Sequence, residues 1–204
     1  MRKGLAPSAK AAIELFKKAG GVLKTSEAKH LGIHFRTLSL LKERGEIEPL
    51  ERGLYRLVGA QDLQEPDLLI VARKIPQGVI GLISALHLHG LTLEIPRQVD
   101  VFLKKAAKRP RPTQPPIQFY WISPDFFDLG VMEKVIDRTT IRVTSPERTV
   151  VDCFRFRNRI GLSVAVEALK NWNKLRTKNR RLLVQYATTC RVEKVMRPYL
   201  EALA

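Results

Sequence analysis

GGVLKTSEAKHLGIHFRTLSLLKERGEIEPLERGLYRLV, residues 20–58, is the stretch whose reading decides the fold. It alternates between helical and extended patterning within 39 residues. Thr25 is suited to cap a helix over residues 26–30, because its hydroxyl can accept from the orphan amides of a first turn. Gly32 fits the left-handed position that closes such a helix. A second helix is predicted over residues 34–44, with Gly45 as its stop. Residues 46–49 and 53–58 read as two short strands about a turn at 50–52. Helix, turn, helix and hairpin, in that order, predict a winged helix-turn-helix.

Angular spacing tests the second helix. At about 3.6 residues per turn, Phe35, Leu38 and Leu41 share a side and are expected to pack inward. Arg36, Leu40 and Glu43 then face outward, flanked by Thr37, Ser39 and Arg44. In a helix-turn-helix the outward face enters the major groove, and its N-terminal residues, His34 among them, meet base edges. Arg36 suits a bidentate contact to guanine and Leu40 a thymine methyl. Lys24, Thr25, Ser26 and Lys42 are placed for phosphates, and Arg52 stands at the tip of the wing. The competing reading is a solvated helix face, or a protein-docking module of the same shape.

A chain of 204 residues has room for one large or two small domains. Its 45% hydrophobic and 27% charged residues are ordinary for a globular protein. Its net charge of +16 is not. Residues 1–60 hold 12 basic and 6 acidic side chains, and residues 61–204 hold 24 and 14, so the halves carry +6 and +10. Excess cation on both halves favours a polyanionic partner, with nucleic acid first. Cys153 and Cys190 have no metal-ligand spacing, and the apolar flanks of Cys153 suit a small core side chain. Residues 1–7 lack the apolar core of a signal peptide. No apolar run approaches the roughly 20 residues of a membrane span. The expected compartment is the cytoplasm.

Elsewhere, Ala12, Leu15, Phe16 and Ala19 form the apolar stripe of a helix over residues 8–19, with Pro7 and Ser8 as start signals. The polar run 59–65 marks a domain boundary, giving domains of 1–60 and 61–204. Helices are predicted over 67–74 and 78–88, the latter ended by Gly90. Strands follow near 97–103, 117–122, 131–136 and 140–143, in an antiparallel or mixed sheet with a turn at Asp137-Arg138. Residues 104–116, KKAAKRPRPTQPP, hold five cations and four prolines and read as an exposed basic loop. Lys104, Lys105 and Arg109 are its candidate contacts. The next helix is capped by Thr144, in a capping box with Glu147, or by Ser145, with Pro146 at the first helical position. Val150, Val151, Cys153 and Phe154 are its inward face. Helices over 162–175, 180–187 and 192–203 complete the chain.

Taken in order, the segments GGVLKTSEAKHLGIHFRTLSLLKERGEIEPLERGLYRL, GVIGLISALHLHGLT, IRVTSPERTVVDCF and the tail ending VMRPYLEAL resemble the AbiEi antitoxins of type IV toxin–antitoxin systems. The resemblance implies an N-terminal winged helix that binds inverted repeats in its own promoter and represses it. It also implies a C-terminal half that opposes a cognate nucleotidyltransferase-like toxin without needing a stable complex. It singles out Glu147, Arg148 and Asp152 of the SPERTVVD stretch as a candidate functional surface, against an ion pair tying that helix to the sheet.

Enzymatic readings find little support. A metal-dependent nuclease needs an Asp followed on a nearby strand by Glu-x-Lys or Asp-x-Lys. Asp100 sits on a predicted strand, but IQFYWI offers neither carboxylate nor lysine, and Glu27-Ala28-Lys29 lies in the other domain. A nucleotidyltransferase needs a Gly-Ser turn and Asp-x-Asp, and neither string occurs. His87 and His89 lack a third ligand, so one is expected in the core and the other at a helix end. The run 170–181 holds six cations around Trp172. It reads as a solvated helix face with a half-buried indole, or as a stacking clamp for RNA.

The expected protein is α+β, with a winged helix and then a mixed-sheet domain with a helical tail. It is neither an enzyme nor a carrier of metal or cofactor. Its expected partners are promoter DNA and a toxin. A plain regulator without a toxin, and an RNA- or tRNA-directed binding protein, are the alternatives.

Overall fold

In the computed structural model, which describes residues 9–59, 65–110 and 115–203, the patterning resolves into mixed helix and sheet. The chain divides into two units, Met1–Lys74 with Val135–Thr140, and Ile75–Lys134 with Ile141–Ala204. The proposed start signals Pro7 and Ser8, residues 60–64 of the proposed boundary and residues 111–114 of the basic loop lie outside the described residues.

The first unit opens with α1 (Ala9–Lys18), whose Ala12 and Phe16 are buried while Leu15 and Ala19 pack against the same core. Strand β1 (Val22–Lys24), which the sequence reading did not anticipate, is followed by α2 (Thr25–His30) and α3 (Phe35–Glu43). Strands β2 (Ile47–Glu51) and β3 (Leu54–Leu57) form the wing. The sheet order is β1-β3-β2, antiparallel throughout. Three residues at β1 are too few for a periodicity to be seen, yet they donate a third strand and bury Val22 and Leu23. Pro49 falls on β2, at the sheet's edge, where a missing amide is tolerated. Helix α4 (Pro66–Lys74) adds Ile70 to a small cluster with Val22 and Leu54.

In the second unit the predicted helix over 78–88 is cut short. Val79–Ile80 is β4, and the helix α5 runs only from Leu82 to Leu88. Tertiary pairing overrides the local pattern. Val79 and Ile80 pair with Phe102 and Val101 on one side, and Ile80 with Val143 on the other. Gly81 permits this, because a Cβ there would meet the Phe102 ring at 2.5 Å. The remaining strands are β5 (Val99–Lys104), β6 (Ile117–Ile122), β7 (Val131–Ile136) and β8 (Thr139–Thr144), and the sheet order is β6-β5-β4-β8-β7. β4 is antiparallel to β5 and parallel to β8, and β5 is parallel to β6, so the sheet is mixed. Asp137 and Arg138 both have positive φ, the backbone of a tight two-residue hairpin turn.

A short α6 (Pro124–Phe127) lies between β6 and β7. Five further helices follow, α7 (Pro146–Arg155), α8 (Arg157–Ile160), α9 (Leu162–Asn173), α10 (Arg180–Thr189) and α11 (Glu193–Glu201). Of the two candidate caps, Ser145 accepts from the Arg148 amide at 3.2 Å, with Pro146 at the first helical position. Thr144 instead bonds Thr149. Every residue of α7 from Glu147 to Phe154 is buried, and the helix is the spine of the unit's main core.

Candidate nucleic-acid interface

Gly32, at φ +83°, turns the chain after α2, and Ile33 then donates back to Ala28 at 2.8 Å. Leu38 and Leu41 face inward as expected and join Phe16, Ala28 and Ile33 in the core. Phe35 does not. It is 69% exposed, which corrects the inward placement that its spacing suggested. Ile33, 1% exposed in the turn, occupies the inward site at this end of α3, and Phe35 is left at the rim. The outward face therefore carries His34, Phe35, Arg36, Leu40, Lys42 and Arg44 exposed, with Thr37 and Ser39 half-buried beside them. Glu43 is the acidic side chain on this face.

The start of α2 differs from expectation. Thr25 is not the cap but the first helical residue, because the cap position falls to Lys24. The Lys24 amide donates to the Glu27 carboxylate at 2.9 Å, and Arg73 of α4 holds that carboxylate at 2.6 Å while also donating to Ala19 O at 3.1 Å. Thr25 donates its amide and its hydroxyl to Gly53 O, at 2.9 and 3.3 Å, and so fastens α2 to the wing turn. Ser26 is exposed in the first turn, and Lys24 and Thr25 are partly so. Arg52 is exposed at the wing, whose backbone is anchored by Lys74: its ammonium reaches Arg52 O at 3.1 Å and Glu51 at 2.9 Å. These bonds fasten α2 to α4 and to the wing turn, while Leu38 and Leu41 seat α3 on the shared core. The cations of α2, α3 and the wing are left toward solvent, an arrangement able to meet phosphates at several points while α3 presents base-reading groups.

The candidates of the second unit separate into two kinds. Lys104, Lys105 and Arg109 are exposed. Lys104 pairs with Asp128 at 3.0 Å, and the Arg109 guanidinium lies 5.7 Å from the centre of the Phe119 ring. Glu147, Arg148 and Asp152 form no surface, being 7%, 1% and 0% exposed. Arg148 donates Nε to Asp152 at 2.7 Å and Nη1 to Phe126 O and Leu129 O at 2.9 and 3.1 Å. Glu147 accepts from the indole N–H of Trp172 at 3.2 Å and from the Asn179 amide at 3.0 Å. Their role is internal, tying α7 to the segments around it. Trp172 is fully buried, so the stacking clamp on residues 170–181 and the half-buried indole are both corrected.

His87 and His89 are also occupied. His89 Nε2 donates to Thr144 O at 2.7 Å, and burial lowers its pKa, while His87 Nδ1 donates to Glu94 O at 3.1 Å. Among the described residues no group of three metal-capable side chains occurs. Asp100 is buried. Its carboxylate accepts from the Ile83 amide at 3.1 Å and from Tyr120, and burial raises its pKa to about 6. The Cys153 thiol is pushed well up by complete burial, as suits a core side chain.

Sequence reasoning missed Phe35, the Glu27–Arg73 brace and the exposed Trp121. The brace spans 46 residues, beyond any local pattern. Phe35 had a legible competitor in Ile33, the apolar residue that directly follows Gly32.

Residues 10–58 match the family described as "Transcriptional regulator, AbiEi antitoxin". The matched stretch coincides with α1, the helix-turn-helix and the wing. No curated protein matches the chain. No helix among the described residues is long and apolar enough to cross a membrane.

Proposed function

We propose that the protein is an antitoxin and transcriptional autorepressor that binds inverted repeats in its own promoter through the first unit. The observation that carries this reading is the α3 face, where base-reading and phosphate-binding side chains stand exposed on a helix seated in the core by Leu38 and Leu41. The regulator family matched by residues 10–58 supports it independently. Arg36 and Leu40 read bases, with Phe35, His34, Thr37 and Ser39 beside them. Lys24, Thr25, Ser26, Lys42, Arg44 and Arg52 hold the backbone. The second unit opposes a nucleotidyltransferase-like toxin encoded alongside, a role that rests on the antitoxin family and the segments that resemble it. The protein performs no catalysis in this reading and acts in the cytoplasm.

The test is a titration of the full chain against the DNA upstream of its own reading frame and against a shuffled fragment of equal length. Specific retention of the first is expected, and equal affinity for both would end the repressor reading. Co-expression of the neighbouring nucleotidyltransferase with the full chain is expected to restore growth. If growth stays arrested, the toxin-opposing role is lost.

A further inference from the structure

The second unit holds an aromatic and cationic surface that the operator reading does not use. Strand β6 ends its sheet, with β5 as its neighbour. Trp121 on β6 is 42% exposed, and its indole N–H donates to Ala107 O at 3.0 Å. That bond fixes the ring without covering it and ties the strand to the start of the basic loop. Phe119, two residues back on the same face, lies 6.1 Å from the Trp121 ring and carries Arg109 above it. Lys105, Lys108 and Arg109 are exposed here. On the opposite side of the strand, Arg159 stands 5.7 Å from the Tyr120 ring. Asp128 nearby is engaged by Lys104 and Arg142, so its charge is offset within the cluster.

A β-strand edge bracketed by cations on both faces, with one large flat side chain left open, has the chemistry of a single-strand nucleic-acid platform. The cations track phosphates and the aromatic takes a base, whichever base it is. A duplex keeps its bases stacked on one another and has no free ring face to offer an exposed indole. The charge of residues 61–204, +10, is complementary to such a strand. We infer that the β6 edge, through Trp121, Lys105, Lys108 and Arg109, binds unpaired nucleic acid. This site is separate from the α3 face and does not depend on operator binding.

The experiment uses the full chain and fluorescence anisotropy with labelled oligouridylate and oligodeoxythymidylate of about 12 nucleotides, within the length range of single-strand sites. The parent is expected to bind at least one of them more tightly than a scrambled duplex of equal length at the same salt. A preference for the RNA assigns the natural ligand, and equal binding assigns unpaired strands of either sugar. Trp121→Ala is expected to weaken binding by roughly 5- to 150-fold, the loss that follows removal of one base–aromatic stack. Trp121→Phe retains most of the affinity. Lys105→Glu with Lys108→Glu, both on exposed side chains, weakens it without perturbing the fold, which circular dichroism checks. Arg36→Ala, which impairs the operator reading, leaves single-strand binding unchanged. The inference is overturned if the parent prefers the duplex, or if the charge-reversed protein and folded Trp121→Ala bind single strands like the parent.

Discussion

Arg36 in the first unit and Arg148 in the second stand on helices of similar length, yet one is exposed and the other is 1% exposed. Arg148 spends its donors inward, on Asp152 and on the carbonyls of Phe126 and Leu129. Arg36 presents its guanidinium to solvent. The same contrast runs through the acids. Glu43 is exposed on α3, whereas Glu147 and Asp100 are buried and accept hydrogen bonds inside the second unit. Residue type alone therefore does not mark a binding site. What separates a strut from a contact is whether its polar atoms are already satisfied by the fold.

The largest expected effect lies at the buried end of this comparison. Arg148→Ala leaves the Asp152 carboxylate uncompensated in the core and is expected to cost about 3–5 kcal/mol, read as a lower urea midpoint. A loss below about 1 kcal/mol would place the pair with surface ion pairs instead.

Asp100 comes next. Its pKa is raised from 3.8 to about 6, chiefly by burial. The folded chain thus holds a proton that the unfolded chain releases, so this group lowers stability as pH rises from about 4 through about 6. Asp100→Asn removes the titration while keeping an oxygen for the Ile83 amide. It is expected to stabilise the protein at neutral pH by on the order of 2–3 kcal/mol relative to pH 4. Parallel stability–pH curves for the two proteins would contradict the assignment.

At the exposed end, Arg36→Ala is expected to leave the urea midpoint unchanged. It should cost about 1–3 kcal/mol of operator binding and relax preference at one base pair. Lys24→Ala should instead weaken every sequence alike and reduce the salt slope by about 1. If both variants bind the operator like the parent, α3 is not in the groove.

The smallest effect tests Phe35. With its ring exposed, Phe35→Ala should change stability by less than about 0.5 kcal/mol. Replacing thymidines of the operator by deoxyuridines, one at a time, removes the methyl that an apolar side chain touches. One such replacement should cost the parent about 0.8 kcal/mol and cost the variant nothing. A parent indifferent to every replacement would return Phe35 to the role of an ordinary exposed residue.

Much of the first unit was legible. The apolar stripe of α1, the stop at Gly32 and the end of α3 before Gly45 follow from rules that operate within one turn of helix. The strands at 117–122 and 131–136 were likewise set by their own residues. On α3 the cations Arg36, Lys42 and Arg44 are exposed, whereas the inward placement expected of Phe35 was wrong. In the second unit the helix expected over 78–88 became a strand and a shorter helix, because Phe102, Val101 and Val143 supply partners that a local window cannot contain. The SPERTVVD stretch was visible as a motif, yet its direction was not. Whether Glu147 faces water depends on Trp172, 25 residues away.

By itself the sequence determined the helix-turn-helix and wing, the cationic charge of both halves and the α+β class. These depend on backbone preferences, on periodicity and on a count of charges, all of which are properties of near neighbours or of composition. Only the tertiary structure decided which polar side chains are struts and which are contacts. It buried Arg148 and Trp172 and left Phe35 and Trp121 exposed, because burial is settled by residues distant in the chain that arrive to cover a side chain or do not.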